Sequence, residues 1–529
     1  MSRPVIIGGG HNGLVTAAYL ARAGRKPLVL ERRDEVGGAA VTHELAPGFR
    51  VPALAHSAAL RSDIVSQLHL EQQGLRFARP AVSVFAPGPD GRALVMWREL
   101  LQTVQSLAQW SAADAAKWPE FSETAVAIAG AISGLLRQVP PSLDEPGPGE
   151  LWDLVSTGRA IRGLGRSRLY QLLRWGPMPI ADLAAEWLES PLARAVICGR
   201  GIFGAAAGPR SAGTAAAWLL QVAHEGHPAG SPTFIAGGPG SMAGAIAAAA
   251  TGAGAEIRVN AEVARIEVND NGVCGITLAT GEQIRTGVVI SNADPKRTFL
   301  GLVDPVRLPP SFRHKVQHYR TRGVLAKVNL ALARLPKFRG AATHEQPAET
   351  LLAGRIHIGP DPDYLERAFD QSKYGELSSE PWLEVAIPSL TDSTLAPQGQ
   401  HVMSIYAQWA PYTLRGQTWE QARDAFGDTI IKTITAYAPD LPSLILAREI
   451  LTPVDLEQQY GLTGGHIFHG EHALDQLYAM RPVLGWAQHR TPIAGLYLCG
   501  AGTHPGGGLT GAPGAHAARV VLKDPHRNT

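Results

Sequence analysis

The stretch Val5-Ile6-Ile7-Gly8-Gly9-Gly10-His11-Asn12-Gly13 decides how this chain is read. Three apolar residues of the buried parallel-strand type run directly into G-x-G-x-x-G. A small-residue helix is expected over 14–23, closed by Gly24 as its C′ residue, then a second strand over 27–30 ending at Glu31. Glu31 follows Gly8 by 23 positions, so the pattern is strand, glycine turn, helix, strand, acid. Every part has a physical reason. Gly8 permits the tight turn, Gly10 lets backbone N–H groups approach a pyrophosphate, and Gly13 lets the helix pack close to the sheet. The helix N-terminus offers partial positive charge to phosphates, and the Glu31 carboxylate can accept from ribose hydroxyls. Alone, G-x-G-x-x-G means little in a chain with 58 glycines; between two strands with the acid in place, it specifies a dinucleotide site.

Composition narrows the class. The 529 residues suffice for several domains, with 45% hydrophobic and 18% charged residues, which excludes general disorder. With 48 basic against 46 acidic residues, no electrostatic case exists for nucleic acid as partner. Cys198, Cys274 and Cys499 form no CxxC pair, which excludes dithiol reductase chemistry and a cysteine-based zinc site. A first strand at Val5 leaves no room for a leader, and the apolar stretches 124–136 and 242–255 fall short of the ~20 residues that span a bilayer. The expectation is a cytoplasmic protein with at most peripheral membrane contact.

The turn after Glu31 selects the dinucleotide. Arg32 to Gly38 ends in the doublet Gly37-Gly38 and passes into a long loop over 39–57, where an NAD-type unit would continue into helix and strand. At the other end, residues 496–499 read as a strand feeding Gly500-Ala501-Gly502-Thr503-His504-Pro505-Gly506-Gly507-Gly508-Leu509-Thr510-Gly511, then a helix over 515–522. A second glycine-dense turn exposes several N–H donors, which suits a planar ring edge that becomes anionic on reduction.

Together, GGGHNGLVTAAYLARAG and YLCGAGTHPGGGLTGAPG resemble the phytoene desaturase-related FAD oxidoreductases of the flavin amine oxidase superfamily. Segments 288–295, 326–336 and 451–471 resemble the branch of pyridine nucleotide-disulfide oxidoreductase domain-containing proteins, although the cysteine count opposes disulfide chemistry. The resemblance implies an α/β fold: a Rossmann-like FAD-binding domain over 1–80, 235–300 and 485–529, with an α+β substrate domain over 81–234 and 301–484. It implies FAD contacts from Gly8, Gly10, His11, Asn12 and Gly13, and from Glu31, Arg32, Gly37, Gly38 and Ala39. Val263 would lie beside the adenine, and Gly500, Ala501, Thr510, Gly511 and Ala512 would face the flavin side. Many relatives carry an acid where Ala501 stands, so Thr503 or backbone groups must replace that contact.

Between the terminal motifs, 239–251 reads as a helix, 256–259 and 263–268 as strands, and Asp270-Asn271-Gly272 as a hairpin turn into 275–278. Residues 284–291 read as one strand, 97–107 and 121–136 as helical, 325–332 and 382–387 as strands, and 419–437 as an amphipathic helix.

Two residues stand out as candidate catalytic groups. Lys327 interrupts the apolar run VLAKVNLAL; a strand lysine is commonly a surface gatekeeper, but in flavin amine oxidases a comparable lysine holds a water against the flavin. His504 lies inside the flavin-proximal turn, and His56 follows the Gly-Gly loop; either can instead bond backbone. His466, His469 and His472 lack the converging ligand set a metal needs, so no metal is expected. Arg159, Arg162, Arg166, Arg168 and Arg174, interleaved with Trp152, Leu154, Leu173 and Trp175, read as a solvated helix face or as a patch resting on anionic lipid.

The functional expectation is hydride removal from a C–H bond of a largely apolar substrate (polyene, isoprenoid or lipid-like), giving desaturation or isomerisation. An amine or amino-acid oxidase of the same fold is the alternative, disfavoured because residues 500–514 hold no aromatic ring. A flavin-binding protein with an interaction role is the third. No pattern selects an oligomeric state or an electron acceptor.

Overall fold

Strands of three residues cannot stand alone, and five such segments are gathered into one parallel sheet in the order Leu496–Leu498, Val289–Ser291, Val5–Ile7, Leu28–Leu30, Glu256–Arg258. The computed structural model describes residues 3–142 and 147–524; residues 1–2, 143–146 and 525–529, inside the ranges 1–80, 81–234 and 485–529, lie outside the described residues. Parallel neighbours require crossovers, and the helices His11–Arg22, Pro239–Gly252 and Ala512–Lys523 cover one face of this sheet. Leu14, Val15, Met242, Ile246 and Val521 bury themselves there against Ile6, Val29 and Ile290. A β-carbon at Gly514 would lie 2.2 Å from the Asn12 carbonyl oxygen, so only glycine allows the first and last helices this approach. The opposite face carries a three-stranded antiparallel sheet, Val263–Asn269, Gly272–Leu278 and Gln283–Arg285.

A second sheet of seven strands runs in the order Ile445–Leu451, Leu325–Leu332, His401–Gln408, Trp382–Ala386, Arg355–Ile358, Val82–Pro87, Ala93–Trp97. Its two faces sort the alternating residues of each strand. Val84, Leu94 and Met96 pack under the helices Ala112–Leu136, Pro191–Ile202 and Thr214–Glu225, while Phe85, Val95 and Ile356 pack against Trp419–Thr435.

The elements depart from the sequence reading at identifiable places. Residues 284–291 are not one strand: Gln283–Arg285 pairs in the antiparallel sheet and Val289–Ser291 in the parallel one, so the chain breaks at Thr286-Gly287 to change sheets. Helix does not begin at Trp97, because Ala93–Trp97 closes a hairpin with Val82–Pro87 and the helix starts at Leu100. The terminal helix begins at Ala512 rather than 515, with Pro513 in its first turn, a position that loses no hydrogen bond. The first helix starts at His11.

Candidate active site

The first glycine turn meets the Gly37-Gly38 doublet. Gly10 bridges to Gly37, and a β-carbon at Gly38 would lie 3.2 Å from the Gly10 α-carbon. One at Gly13 would sit 2.3 Å from the Gly8 carbonyl oxygen, and one at Gly500 2.6 Å from the Asn292 carbonyl oxygen. Gly8 has φ +93° and Gly37 φ +128°, backbone that glycine adopts without strain. These contacts leave a cleft enclosing about 1670 Å³, part of it open to solvent.

Of the predicted cofactor residues, Gly8, Gly10, His11 and Asn12 line this cleft at the first turn, and Glu31, Arg32, Gly38 and Ala39 line it beyond. Val263 and Ala501 line it as well. Gly13, Gly37, Gly500 and Gly511 do not; they shape its walls from behind, and Thr510 and Ala512 face an adjoining polar cavity. The Glu31 carboxylate accepts from the Gly9 N–H at 2.7 Å and the Arg33 N–H at 3.0 Å, which holds the turn open towards the cleft. Arg32 reaches across to the Gln459 carbonyl at 2.7 Å. The buried Asn12 side-chain oxygen has no protein partner, and burial keeps the His11 imidazole neutral, down to about 3, helped by His469 beside it. A cradle of bare backbone ending in an unpartnered polar atom fits an extended dinucleotide. Thr503 does not replace the missing acid: its hydroxyl donates to the Gly500 carbonyl at 2.8 Å, which leaves that contact to backbone.

Lys327 is an interior strand residue with 0% exposure, paired on both sides, so the gatekeeper explanation fails. It does not line the cleft; it stands behind it. Its ammonium donates to Ser404, lies 3.3 Å from His56 Nδ1, and sits 4.2 Å over the Tyr406 ring, which does line the cleft. His56 Nε2 in turn donates to Glu384 Oε1 at 3.3 Å, the tautomer that lets Nδ1 accept from lysine. Burial drives the Lys327 ammonium down from 10.5 to about 7 against the pull of Glu384 and Glu449, and drives His56 to about 4. His504 points elsewhere. Its Nε2 donates to the Leu135 carbonyl at 3.3 Å and its ring stacks on His516, on the side of the turn away from the cleft.

His469 lines the cleft, whereas His472 accepts from the Gly507 N–H at 3.3 Å and stacks on Phe468; among the described residues no cluster of three or more metal-ligating side chains occurs. Gly507, Gly508 and Leu509 form the cleft's surface at the terminal turn.

Sequence reasoning missed the inner wall. Arg200 donates to Glu384 at 2.7 Å and Glu225 at 2.6 Å, and Arg355 lies 3.0 Å from Glu384 and 3.2 Å from Glu225. All four line the cleft, and all are nearly buried. The two guanidinium groups hold both carboxyls below the ordinary carboxylate range against the cost of burial. The available signal was a charged residue inside each of the apolar strands RIHI and WLEVA, the same signal that exposed Lys327.

A pH dependence follows from the buried lysine. Between its folded value near 7 and the unfolded value of 10.5 the unfolded chain binds more protons, so this group's penalty is complete below pH 7 and fades as pH rises. Lys327→Met is therefore expected to be more stable than the parent at pH 6, by on the order of 3 kcal/mol after loss of the Ser404 and His56 contacts. The advantage should shrink at pH 9. Urea unfolding at both pH values checks this; a pH-independent difference would show the lysine to be charged throughout.

Comparison with known proteins places these features. Residues 6–68 match the NAD(P)-binding Rossmann-like domain and residues 189–422 the flavin containing amine oxidoreductase model. Pyridine nucleotide-disulfide oxidoreductase domain-containing protein 2 of Rattus norvegicus is 38% identical over 98% of this chain and 93% of its own. A limonene dehydrogenase polypeptide of Castellaniella defragrans is 29% identical over 98% and 94%. Among solved structures, wild-type putrescine oxidase bound to putrescine superposes with a TM-score of 0.61 at 15% identity, covering 99% of both chains, which speaks for the fold alone.

Proposed function

The chain belongs to the family of pyridine nucleotide-disulfide oxidoreductase domain-containing protein 2, FAD-dependent oxidoreductases related to phytoene desaturase, and from that premise we propose that it oxidises or isomerises a largely apolar, terpenoid-like substrate at a C–H bond. The observation that carries this reading is the self-neutralising wall. Arg200 and Arg355 cancel Glu225 and Glu384, so the inner cleft offers neither a free carboxylate for an ammonium nor a free guanidinium for a carboxylate. Around the quartet stand Leu54, Phe203, Tyr406, Ile467, Phe468 and Leu509. Phe203 meets Tyr406 and Phe468 edge-on, so these rings close on one another instead of standing as the parallel plates that would grip an amine. Limonene dehydrogenase and phytoene desaturase, both similar to this chain, are named for hydrocarbon substrates.

Bound FAD supplies two-electron, hydride-accepting chemistry. The chain's own part is to bind, orient and exclude water. The Gly8–Gly13 turn and the helix behind it receive the phosphates, with Glu31 bracing that turn. Leu54, Phe203 and Leu509 displace water from the reacting carbons, and the quartet keeps the wall stiff without presenting net charge. In a desaturation the substrate gives up a hydride and a proton from adjacent carbons.

Anaerobic titration of the yellow protein tests the reading. Flavin bands should bleach with a monoterpene or polyene and stay unchanged with mono- and diamines; bleaching by amines alone overturns it, and bleaching by nothing points to a binding role.

An apolar substrate dissolved in lipid needs a route from it, and we infer that the paired helices Pro148–Gly163 and Gly165–Trp175 rest on an anionic bilayer surface. Trp152, Tyr170 and Leu173 are 63%, 56% and 65% exposed. Arg159 lies over the Trp152 ring and Arg166 over Tyr170, each at 5.5 Å. Arg168 and Arg174 pair with Glu123 and Glu186, but among the described residues no carboxylate pairs with Arg159, Arg162 or Arg166. Aromatic and aliphatic tips beside arginines that lie over rings match the chemistry of an anionic interface. No described helix is long and apolar enough to cross a membrane. Vesicles containing phosphatidylglycerol should retain the protein and pure phosphatidylcholine should not, with Trp152→Ser/Leu173→Ser abolishing retention; equal behaviour on both lipids would refute the contact.

A further inference from the structure

Arg481 is a fully buried charge without a counter-ion. Its side chain has 0% exposure, and every hydrogen bond it makes goes to a backbone carbonyl. Nη2 donates to Phe468 and Ala501 at 2.8 Å and to Gly470 at 3.2 Å, Nη1 to Glu471 at 2.9 Å and Gln476 at 3.3 Å, and Nε to Ala501 at 3.2 Å. Among the described residues no carboxylate forms an ion pair with it. The acids nearby are committed: Glu471 pairs with Arg320, and Asp294 accepts from Thr463 and the Arg297 N–H. The surrounding imidazoles of His466, His469 and His504 are held neutral by burial, with Arg481 adding to that effect, so the guanidinium is the one charge among them.

A desolvated guanidinium ordinarily costs several kcal/mol unless an anion answers it. Carbonyl dipoles satisfy its N–H groups but leave its full positive charge in the fold. The segments it ties together are walls of the cleft: Phe468 and His469 line it on one side and Ala501 on the other. We propose that Arg481 is a positioning residue whose uncompensated charge, held directly behind the Ala501–His469 wall, is the protein's counter-charge to the FAD diphosphate. Five of these six bonds tie the 468–471 segment to the terminal turn, so the cavity keeps its shape before the cofactor arrives. The proposal rests on FAD as cofactor and is independent of the substrate reading.

Charge and hydrogen bonding can be separated by two substitutions. Arg481→Lys keeps the charge and loses the planar fork; Arg481→Gln keeps a planar amide donor and loses the charge. Apoproteins checked by circular dichroism are titrated with FAD, following quenching of flavin fluorescence. Arg481→Lys is expected to bind within about tenfold of the parent and Arg481→Gln at least about 100-fold more weakly, the scale for removing one partner of a buried charge pair. Gln binding as tightly as Lys, or both losing affinity equally, would overturn the proposal in favour of a structural tie. Should the Gln variant not fold, the parent apoprotein decides: inorganic pyrophosphate must raise its melting temperature where an equal concentration of sodium chloride does not, and a missing rise overturns the proposal.

Discussion

The Gly13→Ala protein is expected to purify colourless. A β-carbon there would sit 2.3 Å from the Gly8 carbonyl oxygen and 3.3 Å from the Asn292 side chain. The first contact is with backbone that already holds φ +93°, so no side-chain rotation relieves it. Either the first helix moves off the sheet or the turn shifts; both displace the N–H groups that face the phosphates. The overpacking costs about 1–3 kcal/mol of stability, with FAD affinity lost on top. Gly10→Val should also release the cofactor, for a different reason: the first obstacle at Gly10 is the movable Asn292 amide at 2.7 Å, and the bulk then enters the cleft. The visible absorption of each purified variant, with circular dichroism to confirm folding, is the measurement. Full flavin content in folded Gly13→Ala would show that this turn does not cradle the cofactor.

Glu384→Ala is expected to be the most destabilising single change in the inner wall. Its Oε2 serves Arg200 and Arg355 at 2.7 and 3.0 Å, and its Oε1 serves His56 at 3.3 Å. Removing it leaves two buried guanidinium groups sharing Glu225 alone, and breaking a buried pair in this way costs about 3–5 kcal/mol. The sign of the pH effect is defined as well: the carboxyl is held below its ordinary 4.5, so its contribution is present above that value and lost as acid protonates it. The parent should therefore lose its advantage over Glu384→Ala in acid. Urea midpoints at pH 7 and pH 4 measure the full difference and the start of its narrowing, because the folded carboxyl stays ionised well below 4.5. A loss under about 1 kcal/mol at pH 7 would mean that the quartet does not act as a unit.

The Rossmann unit was legible because its determinants are neighbours in the chain. Strand, glycines and acid follow one another within residues 5–31, and the second glycine turn is a single run after Leu498. Lys327 was legible as an oddity, a charge amid VLAKVNLAL, but not as what it became. Its partner His56 lies 271 residues away, and no local pattern announces such a contact. His504 shows the converse: its position in the flavin-proximal turn suggested chemistry, whereas the fold turns its ring towards Leu135. Trp97 was read into a helix because the strand it ends is apolar on both faces, buried between two layers, and periodicity cannot then separate strand from helix.

The sequence by itself determined the cofactor class and the α/β framework, since phosphate recognition needs only a short run of backbone without side chains at a helix start. Only the tertiary structure decided what the cleft presents to a substrate. Arg200 and Glu384 are 184 positions apart, and their charges cancel because folding removes both from water together. Desolvation belongs to the assembled molecule, and a charge's partner is whatever burial leaves beside it.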